Sequence, residues 1–300
     1  MSVPVFLELV EMKAKTASVF PFLLGVCFSA YYYGHVNTLY AILFFIAMFS
    51  FNMAVDCWDN YNDYNHAVDT VDYKKHTNII GREHLNPRKI LAMLLSMAAL
   101  GAVIGIYLVV KVGLSVLWMG LACYLIGFLY SFGKYPLSSL PVGELASGLA
   151  MGVLITFIAV DVSAYQYITW NWRTILQIWL ITLPNELWIS NLMLANNICD
   201  HGEDERNHRH TIVHYLGIKL SLTAFAIKNI LALGVIALSV YLKLAPWTTL
   251  LTWITIPFVY QQTKMLILRQ VKKETFLCAV KILAVCSFTL VVTYGIGLVL

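Results

Sequence analysis

Hydrophobic residues in this chain fall in long unbroken runs, not in two-residue alternation or the single apolar stripe of a soluble helix. Nine runs stand out, roughly 17–33, 38–57, 90–110, 113–132, 143–163, 174–198, 220–241, 246–262 and 278–300. Each has about the 17–25 residues that carry a helix across a bilayer core. Continuous apolarity without period-2 alternation argues against a membrane β-barrel. The pattern therefore predicts an all-α integral membrane protein, one domain over residues 1–300, built as a bundle of nine transmembrane helices.

The polar punctuation orients the bundle. With nine spans, the N-terminus and the loops after the second, fourth, sixth and eighth share one side. That side collects Lys13, Lys15, Lys74, Lys75, Arg82, Arg88, Lys89, Lys134, Arg206, Arg209, Lys219, Lys264, Arg269, Lys272 and Lys273, against Lys111, Arg173 and Lys243 opposite. Basic residues accumulate in cytoplasmic loops, so the N-terminus is expected in the cytoplasm and the C-terminus outside, in a multi-pass protein of the cell membrane.

Composition agrees, with 60% hydrophobic residues and only 12% charged. The net charge of +4 follows from the basic loops and gives no sign of a nucleic-acid partner. The first run is preceded by Glu8, Glu11, Lys13 and Lys15, unlike a cleaved leader. The six cysteines are scattered with no CxxC pair, which indicates neither a disulfide framework nor a zinc site.

The informative exception is where the acid sits. Asn52, Asp56, Asp59 and Asp63 close the second run; Asn196, Asp200, Glu203, Asp204 and Glu205 close the sixth. With Asp69, Asp72 and Glu83 downstream, these clusters hold ten of the chain's 16 carboxylates. Residues three, four and seven apart share a helix face. If both helices continue two turns beyond their apolar stretch, each presents a strip of oxygens. Crowded carboxylates repel, so a hard divalent cation is expected; facing strips suit Mg²⁺ completed by the oxygens of a diphosphate. Its chemistry would be Lewis-acid assistance to a leaving diphosphate. Lys134, Arg206 and Arg209 stand in the right loops to complete an anion clamp, with Lys74, Lys75 and Arg82 as further candidates. A third polar segment, from Tyr130 through Lys134 to Gly143 and Glu144, follows the fourth run, and the three loops are expected to form a cytoplasmic cap over a central cavity.

The pattern of Asp56, Asp59 and Asp63 preceded by Asn52 resembles the first aspartate-rich motif of the UbiA superfamily of intramembrane aromatic prenyltransferases. Asn196, Asp200 and Asp204 resemble the second. The resemblance runs end to end, with Tyr130, Gly133 and Lys134 matching a segment after the fourth span; Val55 departs from the usual asparagine before the first aspartate. Lys15-Thr16, Tyr130 to Gly133 with Gly143-Glu144, and the doubled Asn196-Asn197 are similar to the MenA branch. The resemblance implies Mg²⁺ on Asp56, Asp59, Asp63, Asp200 and Asp204. It also implies a polyprenyl diphosphate donor and an aromatic acceptor, 1,4-dihydroxy-2-naphthoate first, with decarboxylation, in menaquinone biosynthesis. Substrate contacts are expected from Asn52, Tyr130, Lys134, Asn196, Arg206, Arg209 and Arg82. Other acceptors, 4-hydroxybenzoate or haem, are the alternatives within the superfamily.

Glu186 lies inside the sixth run, where an ionisable side chain is costly and marks either a site or a buried partner. Ten residues before Asn196, it could line the cavity and touch the acceptor. Lys228 and Lys281, also within apolar runs, could snorkel or pair internally. A cation-coupled transporter is the reading from a different class; it predicts facing carboxylates at mid-membrane, whereas most here cluster at one surface.

Overall fold

The computed structural model describes residues 1–66, 73–133, 135–206 and 209–300, and every regular element among them is helical. Asp69, Asp72 and Lys134 lie outside the described residues, as does the side chain of Lys74. A short α1 (Val3–Leu9) leads into α2 (Thr16–Phe28) and α3 (Thr38–His66). After α4 (Ile79–Arg82) come α5 (Pro87–Val112) and α6 (Leu114–Ser131). The next span joins α7 (Gly143–Ser147), a π-helical stretch Gly148–Leu154 and α8 (Ile155–Ala164). It is followed by α9 (Trp172–Arg206), α10 (Ile212–Tyr241), α11 (Ile256–Leu268) and α12 (Lys272–Ile296).

Seven stretches of the described residues are long and apolar enough to cross a membrane: Met12–Tyr33, Thr38–Asn65, Pro87–Val112, Leu114–Ser131, Gly143–Tyr167, Ile212–Tyr241 and Lys272–Ile296. The expected sixth and eighth spans differ from these for local reasons. The 35-residue α9 carries Asn185, Glu186, Asn191, Asn196 and Asn197 among its apolar residues, which dilutes its hydropathy. The eighth run is a 3-10 stretch Trp247–Thr255 followed by the 13-residue α11, so no single long helix covers it. The division of the 90–132 hairpin is sharp. Gly113, at φ 140°, is the one residue between α5 and α6, and that left-handed backbone favours glycine.

The burial pattern is that of a bilayer protein. Large apolar side chains such as Leu39, Val103, Val110, Trp118 and Ile230 face outward, while Thr156, Ser163, Asn185, Asn191 and Ser287 are buried between helices. The buried polar groups tie helices together: Ser287 donates to Asn185 across α12 and α9 at 2.8 Å, and Asn191 donates to the Phe225 carbonyl of α10 at 2.9 Å. Hydrocarbon offers no partner for such groups, so they bond across helices. The largest apolar cluster centres on α9 and packs it against α2, α8, α10 and α12. A second joins α2, α3, α5 and α8, and a third seats α1 and α4 on α3 and α5.

Candidate active site

Both acidic motifs are helical throughout. The α3 helix runs on to His66 and α9 to Arg206, so the oxygen strips expected from spacing exist. A cation of the chain itself covers the leading aspartate of each. Lys15, 4% exposed at the head of α2, donates to the Asp56 carboxylate and to the backbone carbonyl of Asn52 at 3.3 Å. Lys272, at the start of α12, donates to the carboxylate of Asp200 and to the side-chain oxygen of Asn196. Asn196 also donates to Asp200 at 3.2 Å, so three residues share one oxygen-rich corner. Asn52 thus contributes its main-chain oxygen, and Asn196 its side chain.

The last residue of α6, Ser131, and Ser138 beyond it reach the two strips. Ser131 donates its hydroxyl to Asp59, and its carbonyl accepts from Asn62 at 3.3 Å. The guanidinium of Arg209 donates to the Ser138 carbonyl at 3.2 Å and sits 3.3 Å from an oxygen of Asp204. Arg209 is within electrostatic range of Asp59 as well as Asp204, and Glu11 is within range of Lys15, Asp63 and Lys272. The two motifs therefore face a common polar volume at one end of the bundle. The Tyr130 hydroxyl is buried without a hydrogen-bond partner, within range of Asp59, Glu144 and Arg209. Asp204 is 4% exposed, and its second oxygen is also buried without a partner.

Among the described residues, no three Asp, Glu, His or Cys side chains already converge tightly enough to hold a metal ion. The donor set nevertheless fits a hard cation. Asp56 and Asp200 each draw an ammonium, and Asp204 presents a vacant buried oxygen. Two candidates lie elsewhere. Arg82 pairs with Glu8 at 2.8 Å and Glu83 at 3.1 Å, and the Glu8 hydrogen bond, then that of Glu83, raises its pKa. Arg206 is exposed at the end of α9 with no ion pair among the described residues. Glu186 sits half-buried on α9 below the strips, with one carboxylate oxygen buried and without a partner.

Sequence reasoning missed Lys272, Ser131 and Ser138 as site residues and credited Lys15 only with a branch resemblance. The positive-inside count had absorbed both lysines, and nothing in a lone serine announces a carboxylate partner.

A polytopic helical membrane protein with two cation-seeking carboxylate strips facing each other at one end is the class that fold and site define. The profile of the UbiA prenyltransferase family matches residues 18–296, and the chain belongs to that family and is a prenyltransferase. It is 26% identical over 258 residues, 86% of this chain and 80% of the relative, to 1,4-dihydroxy-2-naphthoate octaprenyltransferase of Bacillus subtilis (strain 168). Its fold is similar to a UbiA homolog from Aeropyrum pernix K1, with TM-score 0.72 and 18% identity over 94% of this chain and 98% of that one. It is also similar to a UbiA homolog from Archaeoglobus fulgidus bound to GPP and Mg²⁺, with TM-score 0.66 and 11% identity over 99% and 100% of the two chains.

Proposed function

We propose that the protein transfers a polyprenyl group from its diphosphate to 1,4-dihydroxy-2-naphthoate, with loss of carbon dioxide, giving a demethylmenaquinone in its reduced, hydroquinone form. The observation that carries the reading is the meeting of two asparagine-led aspartate strips, each with a lysine on its first carboxylate, buried at Asp56 and exposed at Asp200. The acceptor is supported by the likeness to the naphthoate enzyme of Bacillus subtilis.

Asp56, Asp59 and Asp63 on α3 and Asp200 and Asp204 on α9 would hold Mg²⁺. When bound, the metal supplies Lewis-acid neutralisation of the charge that builds on the leaving diphosphate. The chain's own cations do the rest of the clamping. Lys15, Lys272 and Arg209 ring the strips and can turn from aspartate to diphosphate oxygens, and Lys134 falls in sequence between Ser131 and Ser138. The Tyr130 ring borders this volume and can face an allylic cation through its π cloud. The apolar bundle keeps out the water that would quench that cation. The C–O bond to diphosphate breaks with its electron pair leaving on diphosphate, the ring carbon bearing the carboxylate forms the new C–C bond, and its bond to the carboxylate breaks to release carbon dioxide and restore the hydroquinone ring. Nine spans, with α9 and the 247–268 segment as the sixth and eighth, would put the site beneath a cap of cytoplasmic loops in the cell membrane.

The test is prenyl transfer by purified protein with Mg²⁺ and a polyprenyl diphosphate, offering the naphthoate, 4-hydroxybenzoate or no acceptor in parallel. Chelator-sensitive product from the naphthoate alone is expected. Product from 4-hydroxybenzoate instead would keep the chemistry and replace the acceptor.

A further inference from the structure

A second polar cluster lies below the aspartate strips, inside the bundle. Glu144 on α7 is 4% exposed; one of its oxygens accepts from Asn197 at 2.8 Å, and the other is buried with no partner. Lys228 on α10 donates to Ser190 of α9 at 2.7 Å, within electrostatic range of both Glu144 and Glu186. Its ammonium forms no carboxylate ion pair among the described residues, and one Glu186 oxygen is also buried and unpartnered. A lysine flanked by two carboxylates with vacant oxygens is costly in a membrane interior, where ionisable groups mark sites.

The fold holds this cluster in place. Gly152, in the π-helical stretch, lies against the Glu186 backbone so closely that a Cβ there would fall 2.6 Å from the Glu186 Cα. Asn191 donates to the Phe225 carbonyl at 2.9 Å and to Asn229 at 3.1 Å, which sets α10 against α9 with Lys228 beside Ser190. At about 1.5 Å per residue, Asn197 lies about one turn below Asp200 and Ser190 about 15 Å below it. The cluster thus begins where the reacting end of a prenyl diphosphate held at the strips would lie, and extends inward.

We propose that Glu144, Lys228 and Glu186 form the acceptor subsite. Lys228 pairs with the carboxylate of an aromatic hydroxy acid, and the vacant glutamate oxygens accept from its hydroxyl groups. The acceptor's carboxylate then meets an ammonium and its hydroxyl groups meet carboxylate oxygens, each donor facing an acceptor. Such a site discriminates against an analogue lacking the anion, because the ammonium N–H groups turned toward it would lose a charged acceptor. The inference rests on the prenyl-transfer reading and adds to it the residues that choose the acceptor.

The experiment is equilibrium binding of 1,4-dihydroxy-2-naphthoate and of its methyl ester to purified protein, followed by tryptophan fluorescence, with no metal or prenyl diphosphate present. Wild type should bind the acid at least about tenfold tighter than the ester, as expected for a charged hydrogen bond. Lys228→Met should remove that preference while leaving the KM for prenyl diphosphate within about twofold. Equal affinity of wild type for acid and ester would overturn the proposal whatever the variants do. So would a Lys228→Met protein that melts like wild type and keeps the preference. Because binding is read without turnover, failure of prenyl transfer is seen separately, in the activity assay.

Discussion

At the residue scale, the site is a problem of charge crowding solved with the chain's own cations. Asp56 and Asp200 open their strips and each is met by a lysine from the head of another helix. Asp56→Ala and Asp200→Ala should each lower prenyl-transfer turnover by at least about a hundredfold, as expected when a group that organises transition-state charge is removed. Both variants should stay folded in detergent by size-exclusion profile; near-normal turnover in either would refute the metal-site assignment. The aspartates were legible in the sequence because their spacing is local to one helix. Lys15 and Lys272 were not, because they reach Asp56 from 41 residues away and Asp200 from 72.

At the scale of elements, two short-range features set the site's depth. The helical continuations of α3 and α9 beyond their apolar stretches carry the strips, and period alone anticipated them. The π-helical stretch Gly148–Leu154 was not anticipated, since nothing in Gly-Leu-Ala-Met-Gly distinguishes it from an ordinary small-residue helix face. There Gly148 and Gly152 bring the backbone onto Glu186. Gly152→Ala should therefore destabilise the fold by about 1–3 kcal/mol, the usual cost of overpacking. A thermal melt in detergent reads the effect; an unchanged Tm would show that the two helices can part at no cost.

Across the whole molecule, the bundle places both strips at one end, and two expectations follow. Mg²⁺ added to metal-free protein should raise Tm, since a ligand that binds only the folded state stabilises by about 2.7 kcal/mol at a hundredfold excess over Kd. Chelator should reverse the shift, and Asp56→Ala should abolish it; a shift that survives this variant would put the metal elsewhere. The proposed nine-span topology would put the termini on opposite faces. A reporter fused after Leu300 that is active only outside the cell should report activity, and the same reporter fused at Met1 should not. Activity at both or neither end would replace nine crossings with an even number.

The membrane class, the helical architecture and the two motifs were determined by the sequence alone, because each is a property of composition or of one helix's period. What surrounds the motifs was decided only by tertiary structure. Seven of the nine runs are apolar enough to stand alone as crossing helices, while α9 carries its polar residues among partners that only packing supplies. The pairing of Ser131 with Asp59, Arg209 with Asp204 and Glu144 with Asn197 joins residues 72, 5 and 53 apart. Arg82, by contrast, is drawn away to Glu8. Hydrophobic period fixes which face of a helix is buried, but only the crossing of helices decides which charges then meet.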